Sequence, residues 1–137
     1  MPKAIGLGGI FIKCENPKEM NAWYKNTLGL NVNEYGVSFE FTTSQNTKGY
    51  LQLSTFDKKS KYFGNDKQQA MLNFRVDNLE AFIPILKQQK VEILTELESF
   101  PYGKFIHIAD IDGNRIELWE PVDAVFENDM SAKQPLD

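Results

Sequence analysis

Two stretches of the chain run through the same order of local signals, and this repetition constrains the fold more than any other property of the sequence. In the first, residues 8–14 (GGIFIKC) are apolar and β-rich, as a strand requires. Asn16, Pro17 and Glu19 then form a helix start. Asn16 caps, Pro17 takes the first helical position, and Glu19 completes a capping box. Met20, Trp23, Tyr24 and Thr27 or Leu28 recur at helical spacing as a core-facing stripe, and Gly29 stops the helix. Strands are expected over 30–34, over 37–42 after the Tyr35-Gly36 turn, and over 50–56.

The second stretch repeats the order. Residues 70–76 (AMLNFRV) read as a strand, and Asp77 with Glu80 repeats the capping box before a helix through Ala81, Phe82, Leu86 and Lys90. Pro84 removes a backbone bond inside that helix, so a kink or a tightened first turn is expected. Strands follow over 91–94, over 104–109 after a second Tyr-Gly turn at Tyr102-Gly103, and over 115–120 after Asp112-Gly113-Asn114. GGIFIKC overlies AMLNFRV, Leu30-x-Val32 overlies Val91-x-Ile93, and Leu51-Gln52-Leu53 overlies Ile116-Glu117-Leu118. The pattern is a duplicated βαβββ unit. Two copies are too few for a solenoid.

The predicted fold is therefore α+β: one domain over 1–121, with modules at 5–56 and 70–121 joined by the polar stretch 57–69. The tail 122–137 is polar and acidic, expected to fray or to cover a neighbour.

Composition then removes classes of function. With one cysteine there is no internal disulfide and no CxxC, and Cys14, on the apolar parity of its strand, is expected to be a buried, inert thiol. A net charge of −4 argues against nucleic-acid phosphates, and no apolar run is long enough to span a membrane. The opening MPKAIGLGGIFIK reads as a first strand and not as a signal peptide, so a cytoplasmic location is expected. A single histidine, His107, excludes HExxH, three-histidine and two-histidine metal sites within one chain. Serine-nucleophile and phosphate-loop motifs are absent, since GLGG at 6–9 leads into a strand.

Together with the two modules, WYKNTLGL after the first helix and DIDGNRIELWEP at the end resemble the vicinal oxygen chelate superfamily, which includes glyoxalase I, bleomycin-resistance proteins and extradiol dioxygenases. The resemblance covers residues 5–121. It implies a cupped mixed sheet with helices on the convex face, a ligand site on the concave face, and a homodimer. It also implies metal-ligand positions at Gly9, Gln52, Met71 and Glu117. Of these only Glu117 is a usual ligand for a hard divalent ion, so no metal cofactor is expected, or at most a weakly held one.

Strand alternation sorts the other residues without appeal to the family. Ile10, Ile12, Leu51, Leu53, Leu72, Phe74, Val76, Ile106, Ile108, Ile116 and Leu118 share the parity expected to carry the helices. The opposite parity presents Phe11, Lys13, Tyr50, Gln52, Ser54, Met71, Asn73, Arg75, Phe105, His107, Arg115, Glu117 and Trp119. Apolar walls with a few polar groups suit a small-molecule cup.

Each residue there has two readings. Glu117 and His107 could move protons; equally, Glu117 could pair structurally with Arg75 or Lys13, and His107 could be a hydrogen-bonded wall residue. Arg75 and Lys13, equivalent in the two modules, could hold an anion or lie solvated at the rim. Phe11, Tyr50, Phe105 and Trp119 suit ligand walls or a dimer interface. Tyr62 and Phe63 of the connector could close over a ligand or anchor the linker. Two functions follow, with a third in which the cup only builds a dimer. The first is metal-free binding of a small, anionic or aromatic organic molecule, as in bleomycin-resistance proteins. The alternative is a glyoxalase-related lyase or isomerase using Glu117 and His107, with or without a divalent metal.

Overall fold

The computed structural model describes residues 1–33, 35–128 and 133–135. Module one comprises β1 (Ala4–Cys14), α1 (Pro17–Leu28), β2 (Gly36–Thr42) and β3 (Lys48–Asp57). Module two comprises β4 (Ala70–Val76), α2 (Leu79–Gln88), β5 (Glu98–Phe100), β6 (Gly103–Ala109) and β7 (Arg115–Pro121). A 3-10 helix (Asp123–Asn128) and β8 (Lys133–Pro135) follow. All eight strands join one mixed sheet in the order β5-β6-β7-β4-β1-β3-β2-β8. The modules meet where β1 pairs antiparallel with β4, and on either side the order is mirrored, with β8 filling the outer edge of module one as β5 fills that of module two.

The two Tyr-Gly pairs perform the same backbone task. Gly36 and Gly103 enter β2 and β6 at φ of 129° and 141°, a region that side chains disfavour. A Cβ on Gly36 would lie 2.0 Å from the Leu53 carbonyl oxygen, and one on Gly103 2.3 Å from Trp119 Nε1.

Several expected boundaries shift. Asn16 caps α1 as read, accepting from Glu19 N–H at 3.2 Å. In α2 the cap is Asn78, not Asp77: Asn78 accepts from Ala81 N–H, whereas Asp77 accepts from Lys3 N–H and ties the end of β4 to the start of β1. Glu80 pairs instead with Lys104 on β6. The helix runs through Pro84 and ends at Gln88, short of Lys90, which turns to φ 62°.

The strand expected at 30–34 reduces to a bridge from Asn33 to Gly36, because the Asn33 side chain accepts from Tyr35 and Gly36 N–H and closes a tight turn. Glu34 lies outside the described residues. The strand expected at 91–94 reduces to the bridge Ile93–Ile108. Strand β5 had no signal in the sequence.

Packing is unequal between the modules. Val76, Leu79, Leu86, Ile106 and Leu118 bury one another beneath α2, with Phe82 and Ile83 against them. No residue of α1 is buried, and Trp23 and Leu28 are about half exposed, so the stripe expected to face the core covers the sheet only partly. Leu72, also expected on the covered face, is 42% exposed. Among the described residues no helix is long and apolar enough to cross a membrane.

Candidate functional site

The concave face encloses a cup of about 590 Å³. Its floor is built by register. His107 on β6 pairs directly with Glu117 on β7, and Glu117 pairs with Asn73 on β4. Glu117, 2% exposed, accepts three hydrogen bonds: from Asn73 Nδ2 at 2.7 Å on Oε1, and from the Tyr62 hydroxyl and from His107 Nε2 at 2.8 Å on Oε2. Arg115 Nη1 lies 3.0 Å from His107 Nδ1. Since arginine only donates, Nδ1 accepts and Nε2 carries the proton that goes to Glu117. The result is a chain, Arg115 to His107 to Glu117, with Tyr62 and Asn73 completing the carboxylate's shell. A buried carboxylate requires such partners.

Tyr62 comes from the connector, not from either module. Its ring stacks on Phe56 (centroids 5.5 Å apart, 6°) and meets His107 edge-on. Burial, and then the Glu117 charge, push its phenol well above the ordinary tyrosine range. Phe63 is buried beside Phe11 and Met71 and anchors the same connector.

The walls are aromatic. Phe105 stacks on Trp119 (5.9 Å, 8°), Phe100 stacks on Tyr102, and Trp119 Nε1 donates to the Tyr102 carbonyl. Phe11, Phe56 and Phe126 continue the lining, with Gln52, Ser54, Ser38 and Thr95 as polar points. Glu98 and Glu117 are the carboxylates among the described lining residues.

Of the residues assigned to the cup from the sequence, Phe11, Gln52, Ser54, Asn73, Phe105, His107, Glu117 and Trp119 line it. The other five do not. Lys13 turns away, its Nζ donating to the Asn65 carbonyl over the Phe63 ring, and lines a separate surface cleft. Met71 is sealed under Phe11 and Phe63, and Tyr50 packs behind Phe126. Arg115 stands behind His107. Arg75, 3% exposed, is held by Asp123 through Nη1 at 2.9 Å and Nη2 at 2.5 Å. Arg75 and Lys13 therefore do not converge on an anion, and neither pairs with Glu117. Tyr62, Phe100, Tyr102 and Phe126 come from the connector, the β5–β6 edge and the tail, where strand parity carries no information.

The positions that the resemblance marks as metal ligands do not make a site for a hard divalent ion. Gly9 has no side chain, Gln52 Nε2 donates to Ser38 Oγ at 2.9 Å, and the Met71 thioether packs among aromatic rings. Register places Asn73, not Met71, beside Glu117. Among the described residues no three His, Cys, Asp or Glu side chains converge.

This fold and cup define a vicinal oxygen chelate protein of the α+β type, its eight-stranded sheet holding a pocket between two modules. The chain belongs to the glyoxalase-like domain family, whose model matches residues 7–123. No curated protein matches it. Among solved structures it is similar to Streptomyces coelicolor methylmalonyl-CoA epimerase in complex with 2-nitronate-propionyl-CoA (TM-score 0.65, 16% identity, covering 88% of this chain and 99% of that one). Mycobacterium tuberculosis methylmalonyl-CoA epimerase is comparable (TM-score 0.61, 22% identity, 90% and 93% covered). A glyoxalase/bleomycin resistance protein/dioxygenase superfamily member from Vibrio splendidus 12B01 aligns at TM-score 0.53 and 13% identity, with 88% and 99% covered. At these identities the likeness is one of fold.

Proposed function

We propose that the protein binds a small aromatic organic molecule in the cup and holds it without chemical change and without the family's metal. The observation that carries this reading is how Glu117 is held. A general base must be open to its substrate, whereas this carboxylate is 2% exposed and already accepts from Tyr62, Asn73 and His107, with both acceptor positions of Oε2 taken. The surface left for a ligand is the ring-lined wall, which favours stacking and apolar burial. The donor set at Gly9, Gln52, Met71 and Glu117 supports the absence of a hard-cation centre.

The fold-related epimerases act on methylmalonyl-CoA, so proton abstraction from such a thioester is the competing reading. Incubating the protein with methylmalonyl-CoA in deuterated water, alone and with added divalent cation, separates the two. The expected result is no deuterium at the α-carbon. Benzamide, an uncharged single-ring probe, is expected to bind with an affinity that Glu117→Gln and His107→Ala change less than about threefold and that Phe105→Ala weakens about tenfold, a loss of about 1.4 kcal/mol. Isotope exchange that disappears in Glu117→Gln would replace the binding reading with an enzymatic one.

A further inference from the structure

Beyond β7 the chain adds a wall to the cup. Val125 and Phe126 line the pocket, and the Phe126 ring meets Trp119 edge-on at 5.6 Å and Tyr50 at 5.7 Å. The family match ends at residue 123, so both wall residues lie outside the shared domain. The segment is fastened on both sides, by Asp123 to Arg75 and by β8 to β2.

The Arg75–Asp123 pair also bears on charge, because it lies just behind the cup. Arg75 lies directly behind the cup: its Cγ is 3.1 Å from the point where a Cβ on lining residue Gly8 would stand, and its guanidinium sits 5.9 Å from the Trp119 ring and 5.2 Å from Phe41. A buried guanidinium surrounded by rings needs a counter-charge, and a carboxylate taken on both nitrogens is the geometry it accepts best. Here the tail supplies that carboxylate. With Arg75 already satisfied, the carboxylates lining the cup are Glu98 and Glu117, and no lining cation faces them among the described residues.

We propose that Asp123 is a built-in carboxylate that occupies Arg75, so that the C-terminal segment sets the charge class of the ligand: the cup takes uncharged aromatic compounds and rejects their carboxylates. This rests on the reading of the cup as a binding site for a small aromatic molecule. Asp123 is thus a specificity-determining residue that acts through Arg75.

Benzamide and benzoate are close in shape and differ in charge, which makes them the appropriate pair of probes. Binding of each is measured by calorimetry and by the shift in melting temperature, in the full chain and in Asp123→Asn, Asp123→Ala and Arg75→Gln/Asp123→Asn. The full chain is expected to prefer benzamide. Both single variants are expected to shift the benzoate-to-benzamide affinity ratio at least tenfold toward benzoate, and the double variant to return it toward the original value. Should a single variant be too unstable for calorimetry, benzoate but not benzamide is expected to restore its melting temperature, because an external carboxylate replaces the lost one. A ratio unchanged in both single variants, or instability that benzoate does not relieve, overturns the role of Asp123 while leaving the cup as a binding site. Failure of the full chain to bind benzamide overturns the cup reading and this proposal with it.

Discussion

Nε2 of His107 and Oε2 of Glu117 lie 2.8 Å apart on directly paired residues of β6 and β7. Because Arg115 donates to Nδ1 on the other side of the ring, the imidazole is held as its Nε2–H tautomer. Nitrogen-detected NMR at neutral pH is expected to show Nε2 protonated and Nδ1 bare. In Arg115→Met Nε2 is expected to stay protonated, because Glu117 still accepts from it, while the Nδ1 resonance loses the shift that the guanidinium donor causes. A doubly protonated ring in the unaltered protein would contradict the assignment.

Tyr62 makes a stability prediction with a definite sign. Its phenol ionises near 10.0 when unperturbed, and burial with the adjacent Glu117 charge raises it in the folded state. A raised folded value means that the contribution is complete below about pH 10 and is lost as pH rises beyond it. Tyr62→Phe removes a hydrogen bond to a charged group, so urea unfolding at pH 7 is expected to show a loss of about 1.5–3 kcal/mol. Above pH 10 the variant is expected to lose stability less steeply than the unaltered chain.

Gly8 and Asn73 are coupled by contact. A Cβ on Gly8 would stand 2.3 Å from Asn73 Oδ1 and 3.0 Å from Trp119 Cε3, so Gly8→Ala must displace the Asn73 amide, whose Nδ2 donates to Glu117. The expected cost is about 1–3 kcal/mol. In an Asn73→Ala background the same substitution is expected to cost less, and strict additivity in denaturant titrations would show that the two residues do not communicate.

The unequal covering of the two modules can be measured. Leu79 is fully buried at the start of α2, and its replacement by alanine is expected to cost about 2–5 kcal/mol. Trp23 on α1 is half exposed and touches Tyr24 edge-on, so Trp23→Ala is expected to cost less than about 1 kcal/mol. Equal losses would mean that α1 is held more firmly than its exposure indicates.

Much of the architecture was legible in the chain itself. The Asn16-Pro17 start, the two Tyr-Gly turns and the alternation in β1, β3, β4, β6 and β7 are local properties, written in backbone preference and in a period of two, and they place Phe11, Gln52, Asn73, Phe105, His107, Glu117 and Trp119 on one face. Alternation assigns a side chain to a face but not to a partner. It could not tell that Arg75 and Lys13 turn to Asp123 and Asn65, since those partners lie 48 and 52 residues away, in the 3-10 helix after β7 and in the connector. Nor could it find Tyr62 and Phe126, which reach the cup from the connector and the tail.

What the sequence alone determined is the container: a duplicated unit, its apolar face and a mixed concave face. Which polar groups remain available inside it was decided only by the tertiary structure. Hydrogen bonds and ion pairs depend on distances of a few ångströms between residues far apart in the chain, and strand periodicity carries no record of those distances.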